Sequence, residues 1–199
     1  MSDTQLLIKL ADHDDDWAVQ RLFGALHRLN TELDPSFALA DGWSAVLDEH
    51  LAHVRAVGNG ITLLAWHSQQ PVGLVMMDGH TDSPLFRHRR WAELLALYVE
   101  PSARSLGVAD RLLEAGANWA QEQGYYRIQL YVTSTNQRAK RFYERSGFRC
   151  VQEIWRLDMA TPTEPSLPDP TCEESYAHGH HLLSIHPHQL IHDESDHSH

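Results

Sequence analysis

The feature that most constrains the fold is an almost uninterrupted apolar run from Trp91 to Val99. A strand whose two faces are both apolar must be covered on both sides, as a central strand between helical layers is. One carboxylate, Glu93, interrupts the run. The run therefore predicts a sheet with helices on both faces, and it marks Glu93 as a charged group inside an apolar strand.

The segments around this run alternate between helical and strand-like spacing of apolar residues. Turn and cap signals such as Asn59-Gly60, Gly124 and Gly147 separate them. Helices are predicted at 17–30, 43–57, 107–123 and 136–146, and strands at 5–10, 61–67, 71–78, 91–99, 126–132 and 148–159. A polar connecting loop is predicted at 79–90. This order predicts a mixed α/β fold with a strand-helix-strand unit in its second half.

Length and composition predict one domain, residues 1–160, followed by a Pro-rich and then His-rich tail at 161–199. The formal net charge of −11 at pH 7 disfavours nucleic acid as a partner, because duplex binding requires clustered Lys and Arg. No apolar run approaches the ~20 residues that span a bilayer, so no membrane segment is expected. The absence of a secretory pattern and the use of only two cysteines favour a cytoplasmic protein.

The junction between the central strand and the next helix has the composition of an anion-binding turn. Gly107 allows backbone to approach a ligand closely, and Ala109 keeps the mouth of the helix open. Backbone N–H groups and the positive end of a helix dipole can hold a pyrophosphate at such a junction. The cradle is predicted at residues 104–109, although a small-residue turn before a helix is often only a turn.

Two motifs now resemble a known family. Arg104, Gly107 and Ala109 are similar to the R-x-x-G-x-A signature of the GNAT superfamily, and the stretch NQRAKRFYERSGF at 136–148 resembles its second signature. The resemblance covers about residues 5–159 in element order. It implies the acyl-CoA N-acyltransferase fold, a largely antiparallel, twisted central sheet with helices on both faces. It also implies an N-acetyltransferase that uses acetyl-CoA to acetylate a primary amine of a small molecule or protein.

The resemblance further assigns residues to the cofactor. The cofactor-binding residues that it implies are Leu97, Tyr98, Val99, Arg104, Ser105, Leu106, Gly107, Val108, Ala109, Asn136 and Tyr143. The backbone of 97–99 would pair with the pantetheine arm. Asn136 would contact the cofactor or cap its helix. Leu106 stands where many relatives carry Lys or Arg, and little chain follows Phe148 for the two closing strands usual in the family.

Acetyl transfer requires two proton handlers. Tyr143 matches the family's general acid, or else it only packs beside Phe142. Glu93 lies where some relatives supply a general base, or else it is a strand-start carboxylate that is exposed to solvent or paired with Arg89 or Arg90. The reserve candidates for these roles are Tyr98, Tyr131 and Glu100.

The acceptor pocket is expected between the first two helices and the loop at 79–90. Its candidate residues are His27, Glu32, Asp34, Trp43 and Asp82. Relatives often pair, so a homodimer is a further expectation.

The tail carries eight histidines from His178 to His199. Imidazole-rich segments bind zinc, nickel or copper without a preformed geometry, so metal binding by the tail is either adventitious or regulatory. No metal is expected at the catalytic motif. The alternative to an enzyme is a non-catalytic acyl-CoA-binding or metal-responsive module.

Overall fold

The computed structural model describes residues 6–159. The chain divides into two units, Met1–Gly147 and Phe148–His199, of which residues 6–147 and 148–159 are described. The predicted boundary at residue 160 and the predicted His-rich tail lie at or beyond the end of the described residues. None of the helices within 6–159 combines the length and the apolar character needed to cross a membrane.

The first unit is built on one five-stranded sheet with strand order β1-β2-β3-β4-β5. The strands are β1 (Leu7–Leu10), β2 (Gly60–His67), β3 (Gln70–Thr81), β4 (Arg90–Val99) and β5 (Ile128–Gln129). The first three pairings are antiparallel, and β4 pairs with β5 in parallel. The mixed, largely antiparallel sheet predicted from the sequence is therefore confirmed. Ser68 and Gln69 turn the β2–β3 hairpin with positive φ at both positions, as a tight two-residue hairpin turn requires.

Helices cover both faces of the sheet, as the two-sided apolar run predicts. The helices are α1 (Asp16–Leu33), α2 (Trp43–Val57), α3 (Val108–Glu122) and α4 (Gln137–Arg145). Gly73 and Gly116 mark the face that α3 covers, because a Cβ on Gly73 would touch Leu112 and one on Gly116 would touch Met77. The opposite face carries α1 and α2, where Val54 of α2 lies against Gly60.

The acidic run before α1 acts as predicted for the start of a helix. The Asp12 carboxylate accepts from the backbone N–H of Asp14, and the Asp15 carboxylate accepts from that of Asp12. This reciprocal capping satisfies N–H groups at the start of a 3₁₀ helix, His13–Asp15, that leads directly into α1. Predicted helix positions agree with the structure within three residues at each end, and α2 occupies the predicted range.

Two predicted strands are wrong in the structure. The strand predicted at 126–132 is paired only at Ile128–Gln129, and the strand predicted at 148–159 contains no regular secondary structure. Alternating apolar residues set side-chain direction, but a strand also needs a neighbour that accepts and donates its backbone hydrogen bonds. The predicted loop at 79–90 is also shorter, because β3 continues to Thr81 and β4 begins at Arg90.

A β-bulge in β4 shapes the edge of the sheet. Met76 of β3 lies opposite Ala96, whereas Met77 lies opposite Leu94, so Leu95 is an extra residue on β4. A bulge bends the strand that carries it and increases its twist. The pairing of β4 with β5 ends at Glu93, two residues before the bulge. From Leu94 to Val99, the β5-side edge of β4 therefore has no paired strand among the described residues.

Candidate functional site

The predicted cradle joins the end of β4 to the start of α3. A 3₁₀ helix at Pro101–Leu106 leads to Gly107, whose φ of 68° lies in the left-handed region that favours glycine. Val108 is completely buried and anchors the first turn of α3 in the core. No side chain caps this turn, and no heavy atom of the described residues lies within 4 Å of the position of a Cβ on Gly107. The space beside Gly107 is therefore open.

Arg104 ties the cradle to the central strand. Its Nε donates to the carbonyl oxygen of Val99 at 3.1 Å. Arg138, in the first turn of α4, has its pKa lowered by burial and by the positive charge of Arg104. Two guanidinium groups near each other repel unless an anion lies between them. Arg138 was missed as a site residue, although it lies two positions after Asn136 in the second motif.

The open edge of β4 contains Leu97, Tyr98 and Val99. Because β5 leaves β4 after Glu93, backbone groups on this side of 94–99 face the opening between the two strands. An extended ligand can hydrogen-bond to such an edge as an added strand does. The three residues predicted to bind pantetheine through their backbone thus lie on a strand edge without a pairing strand among the described residues.

The side chain of Tyr98 belongs to a separate polar contact. Its hydroxyl donates to the Glu100 carboxylate at 3.4 Å, and Glu100 also pairs with Arg21 of α1 at 2.7 Å. Burial, followed by the negative charge of Glu100, raises the pKa of Tyr98. Glu100 therefore holds α1 against the end of β4, a structural role for this reserve candidate.

Glu93 is buried, with a residue exposure of only 3%. This burial contradicts the alternative in which it is an exposed carboxylate. Its Oε2 lies 3.8 Å from Nδ1 of His80, and the His80 ring lies 4.1 Å from the ring of Trp91. Glu93 thus occupies an aromatic, largely dry environment at the point where β4 and β5 separate.

A second carboxylate, Asp78, lies directly opposite Glu93 on β3. Burial and then the negative charge of Glu93 raise the pKa of Asp78 to about 7. His50 of α2 places Nε2 3.3 Å from Oδ2 of Asp78, and burial followed by the charge of His53 lowers the pKa of His50 to about 4. The sequence predicted neither residue as part of the site. The available signal was one histidine on the apolar face of α2.

Tyr131 and Asp82 lie on the same side of the molecule as Glu93. Burial, then the negative charges of Glu93 and Asp82, raise the pKa of Tyr131. Tyr131 follows β5, where the chain has left β4. Of the reserve candidates, Tyr131 is therefore the one whose phenol is electrostatically coupled to Glu93.

The second motif forms α4 and its N-terminal cap. The Asn136 side chain accepts from the backbone N–H of Ala139 at 3.0 Å, so its capping role is confirmed. The Tyr143 ring packs 5.2 Å from the Phe142 ring at an interplanar angle of 69°. Burial raises the pKa of the Tyr143 phenol, which keeps its proton at neutral pH. The packing role of Tyr143 is thus observed, and its catalytic role stays a prediction.

The candidates for the acceptor pocket separate into two groups. His27 and Trp43 both pack on the ring of Phe23, at centroid distances of 4.4 and 6.0 Å, and burial lowers the pKa of His27. Asp34 caps a short 3₁₀ helix by accepting from the N–H of Ser36, and Glu32 is exposed. Aromatic side chains between α1 and α2 therefore offer a surface for an acceptor, whereas the Asp34 carboxylate has a capping role.

No group of three or more His, Cys, Asp or Glu side chains within residues 6–159 is arranged to hold a metal ion. The His50, Asp78, Glu93 and His80 side chains form a line of neighbouring pairs rather than a common centre. The predicted metal-binding tail lies outside the described residues.

Comparison with known proteins supplies the family. Residues 16–148 match the model of the Acetyltransferase (GNAT) family. An uncharacterized N-acetyltransferase of Mycobacterium tuberculosis is 33% identical over 114 residues, which cover 57% of this chain and 66% of that protein. The chain thus spans just under two thirds of that relative's length. A mycothiol acetyltransferase of Propionibacterium freudenreichii is 41% identical over 59 residues, 30% of this chain and 19% of that enzyme.

Solved structures agree with the fold. A predicted acetyltransferase of Clostridium acetobutylicum, crystallised with acetyl-CoA, superposes with a TM-score of 0.60 at 18% identity. The match covers 77% of this chain and 96% of that one. At this identity the likeness establishes the fold and leaves the substrates of this chain to be argued from its own residues.

Proposed function

The chain belongs to the acetyltransferase (GNAT) family, and on that premise we propose that it is an N-acetyltransferase that moves the acetyl group of acetyl-CoA to a primary amine. The single observation that carries this proposal is the burial of Glu93 where the paired part of β4 gives way to the open edge. A buried carboxylate beside an open strand edge is suited to take a proton from an acceptor aligned with a ligand on that edge.

The cofactor would occupy the cradle and the open edge together. The exposed residues Ser105, Leu106 and Gly107 would present their backbone to the pyrophosphate, with the positive end of the α3 dipole behind it. Arg104 and Arg138 would add positive charge, which offsets the absence of a basic residue at Leu106. The backbone of 97–99 would pair with the pantetheine arm. The bound cofactor supplies an acetyl thioester, and the protein supplies its position.

Two side chains would handle the protons. The Glu93 carboxylate would accept a proton from the incoming ammonium and so produce the neutral amine that attacks the thioester. Tyr143 would donate its phenolic proton to the departing thiolate, since a phenol is protonated at neutral pH. Burial raises its pKa, so the strongly basic thiolate is the partner to which it can give the proton. Tyr131, whose phenol is coupled to Glu93, would line the acceptor side.

A cationic acceptor suits the charges of this site. Glu93 and Asp82 place carboxylates on the acceptor side, and Tyr131 adds a phenol. Such a surface attracts an ammonium group and disfavours an anionic substrate. The proposed acceptor class is therefore a primary amine that carries positive charge at neutral pH, on a small molecule or at a protein amino group.

The experiment that tests this proposal measures thiol release from acetyl-CoA. Purified full-length chain is assayed against amino acids, polyamines, aminoglycosides and peptides with free N-termini, while calorimetry follows acetyl-CoA binding. Release with at least one amine is expected. The Glu93→Gln variant is expected to lower kcat/KM by about 100-fold without changing acetyl-CoA affinity. Glu49→Gln, an exposed carboxylate on α2, is the matched control and should behave as wild type.

The opposite outcome is equally informative. Tight acetyl-CoA binding without release from any amine contradicts the proposal and favours a non-catalytic acyl-CoA-binding module. Unchanged turnover in Glu93→Gln would instead show that Glu93 is not the general base, without contradicting the transferase activity.

A further inference from the structure

A line of ionisable side chains extends from the proposed base on β4 through β3 to α2, and its middle member, Asp78, is the most exposed of the three. Glu93 and Asp78 lie opposite each other on neighbouring strands, and His50 Nε2 is 3.3 Å from Oδ2 of Asp78. The side chain of Glu93 is 4% exposed, that of Asp78 23% and that of His50 11%. Burying an ionisable side chain costs free energy unless the group has a partner. The presence of this line of side chains between the sheet and α2 therefore requires an explanation.

The packing around Asp78 holds its carboxyl in place. Directly opposed residues on antiparallel strands share a face and have Cβ atoms about 4.5–5.5 Å apart. Asp78 and Glu93 therefore point to the same side of the sheet, the side that α2 covers. On β2, a Cβ on Gly60 would clash with Oδ1 of Asp78 and would lie 2.9 Å from the Val54 side chain. Glycine at this position makes room for the carboxyl between the sheet and α2.

The charges of the line fit a single shared proton. A carboxyl group that is buried beside a negative charge ionises less easily, because burial and the neighbouring charge both raise its pKa. The pKa of Asp78 is raised to about 7 by burial and by Glu93, whereas that of His50 is lowered to about 4 by burial. Asp78 therefore holds a proton below about pH 7 and exchanges it near neutral pH, where His50 is a neutral imidazole that can receive it transiently.

We propose that Asp78 and His50 are positioning residues that carry the proton released by the reaction from Glu93 to solvent. This inference rests on the proposed function and deepens it. Asp78 acts through Glu93, and His50 acts through Asp78. Neither needs to touch the substrate or the cofactor.

The proton balance defines what the line must do. An ammonium acceptor that becomes an amide loses two protons. One ends on the sulfur of the departing CoA, supplied through Tyr143, and the other must leave the site. When Glu93 takes this second proton it loses its negative charge, which removes the electrostatic reason for Asp78 to stay protonated. Asp78 then releases its own proton to water, directly or through Nε2 of His50, and takes up the proton held by Glu93. Glu93 is again a carboxylate and Asp78 is again protonated, so the pair is ready for the next turnover.

Several other ionisable groups face this line and set its behaviour. They are His80 on β3, His53 on α2, and Tyr131 and Asp82 outside the strands. His80 contacts Glu93, whereas His53 acts on His50 through its charge. Tyr131 and Asp82 act on the Glu93 end of the line.

The test compares the pH dependence of turnover in four proteins. Wild type, Asp78→Asn, His50→Gln and the control Glu49→Gln are assayed with an amine found to accept the acetyl group. Asp78→Asn is expected to lower kcat by about 10-fold, less than the 10²–10⁴-fold typical of a proton-transfer group itself, with KM for acetyl-CoA unchanged. The inflection near pH 7 should disappear from its profile. His50→Gln should lower kcat similarly, and Glu49→Gln should match wild type.

A structural role for Asp78 would not remove an inflection from the pH profile. Wild-type kcat and an unchanged profile in both Asp78→Asn and His50→Gln would overturn the proposal while leaving the transferase activity intact. The two variants are independent, so failure of one to fold still leaves the other as a test.

A second measurement does not depend on turnover. Nuclear magnetic resonance of ¹³C-labelled carboxyl groups follows Asp78 directly, with Asp78→Asn to assign the signal. Titration of Asp78 near pH 7 in wild type is expected, together with a fall of at least about one unit in Glu93→Gln. Titration of Asp78 in the ordinary aspartate range in wild type would overturn the shared proton. This titration does not require an amine that is acetylated. Failure of the shared-proton proposal can therefore be distinguished from failure of the proposed function.

Discussion

Replacing Asp78 by asparagine is expected to stabilise the folded chain, and to do so more at alkaline than at acidic pH. The physical reason is the burial of the Asp78 carboxyl opposite Glu93. Its pKa in the folded state is about 7, above its ordinary value of 3.8. The folded chain therefore holds a proton that the unfolded chain has already released between these values. Stability of the wild type falls as pH rises through this window, and an amide at position 78 has no such dependence.

The magnitude follows from the size of the shift. The difference between a pKa of about 7 and one of 3.8 is 3.2 units, which corresponds to about 4 kcal/mol of unfolding free energy at a pH above both values. At about pH 5 the wild type has already lost stability equivalent to about 1.2 of these units. Between about pH 5 and about pH 8.5 it loses about 2 units more, or about 3 kcal/mol. Because the Asp78 side chain is 23% exposed, solvent screening lowers the expected value to about 1–3 kcal/mol.

The assay is urea denaturation of wild type and Asp78→Asn at the two pH values. The measured quantity is the change with pH of the difference between their free energies of unfolding. His50, whose lowered pKa acts in the opposite direction, is present in both proteins and largely cancels. Glu49→Gln serves as the control, for which this change should be near zero. A difference between Asp78→Asn and wild type that stays constant from acidic to alkaline pH would refute the buried, proton-holding carboxyl.

Two further predictions concern the cofactor site. Tyr143→Phe is expected to lower kcat by about 10–100-fold with unchanged acetyl-CoA affinity, because the acid is lost and the ring is kept. Tyr126→Phe, at a position 99% exposed, is its control, and equal rates in the two variants would argue against the acid. Gly107→Ala and Gly58→Ala each place a side chain at a φ near 70° and should each cost about 1–2 kcal/mol in chemical denaturation. Only Gly107→Ala should weaken acetyl-CoA binding by calorimetry, and equal affinities would show that the cradle does not need its glycine.

The sequence predicted most elements of the sheet and helices because each of them carries a complete local signal. The run at 91–99 is apolar on both faces, and the helices begin and end at caps such as Asp12 and Gly58 that act within a few residues. The cradle was predictable for the same reason, since one glycine with positive φ fixes the turn before α3. Such features depend on neighbours along the chain.

What could not be predicted depends on neighbours across the sheet. Pairing of β5 ends after two residues although 126–132 alternates as a strand does, because the partner bends away at the Leu95 bulge. An apolar run contains no sequence signal that would mark the position of a bulge. The relation of Asp78 to Glu93 likewise requires the register of β3 and β4, and His50 joins them only when α2 packs on that face. These residues are widely separated in the sequence, so spacing alone could not group them.

The open edge of β4 also bears on how the protein behaves before it meets its cofactor. A strand edge with free N–H and C=O groups is a template for other chains, and proteins usually cover or charge such edges. Here the edge at 94–99 is apolar in sequence and ends beside the cradle. Under the proposed function, acetyl-CoA fills the position of the missing strand. Occupancy would then cover this edge against self-association as well as supply the acetyl group.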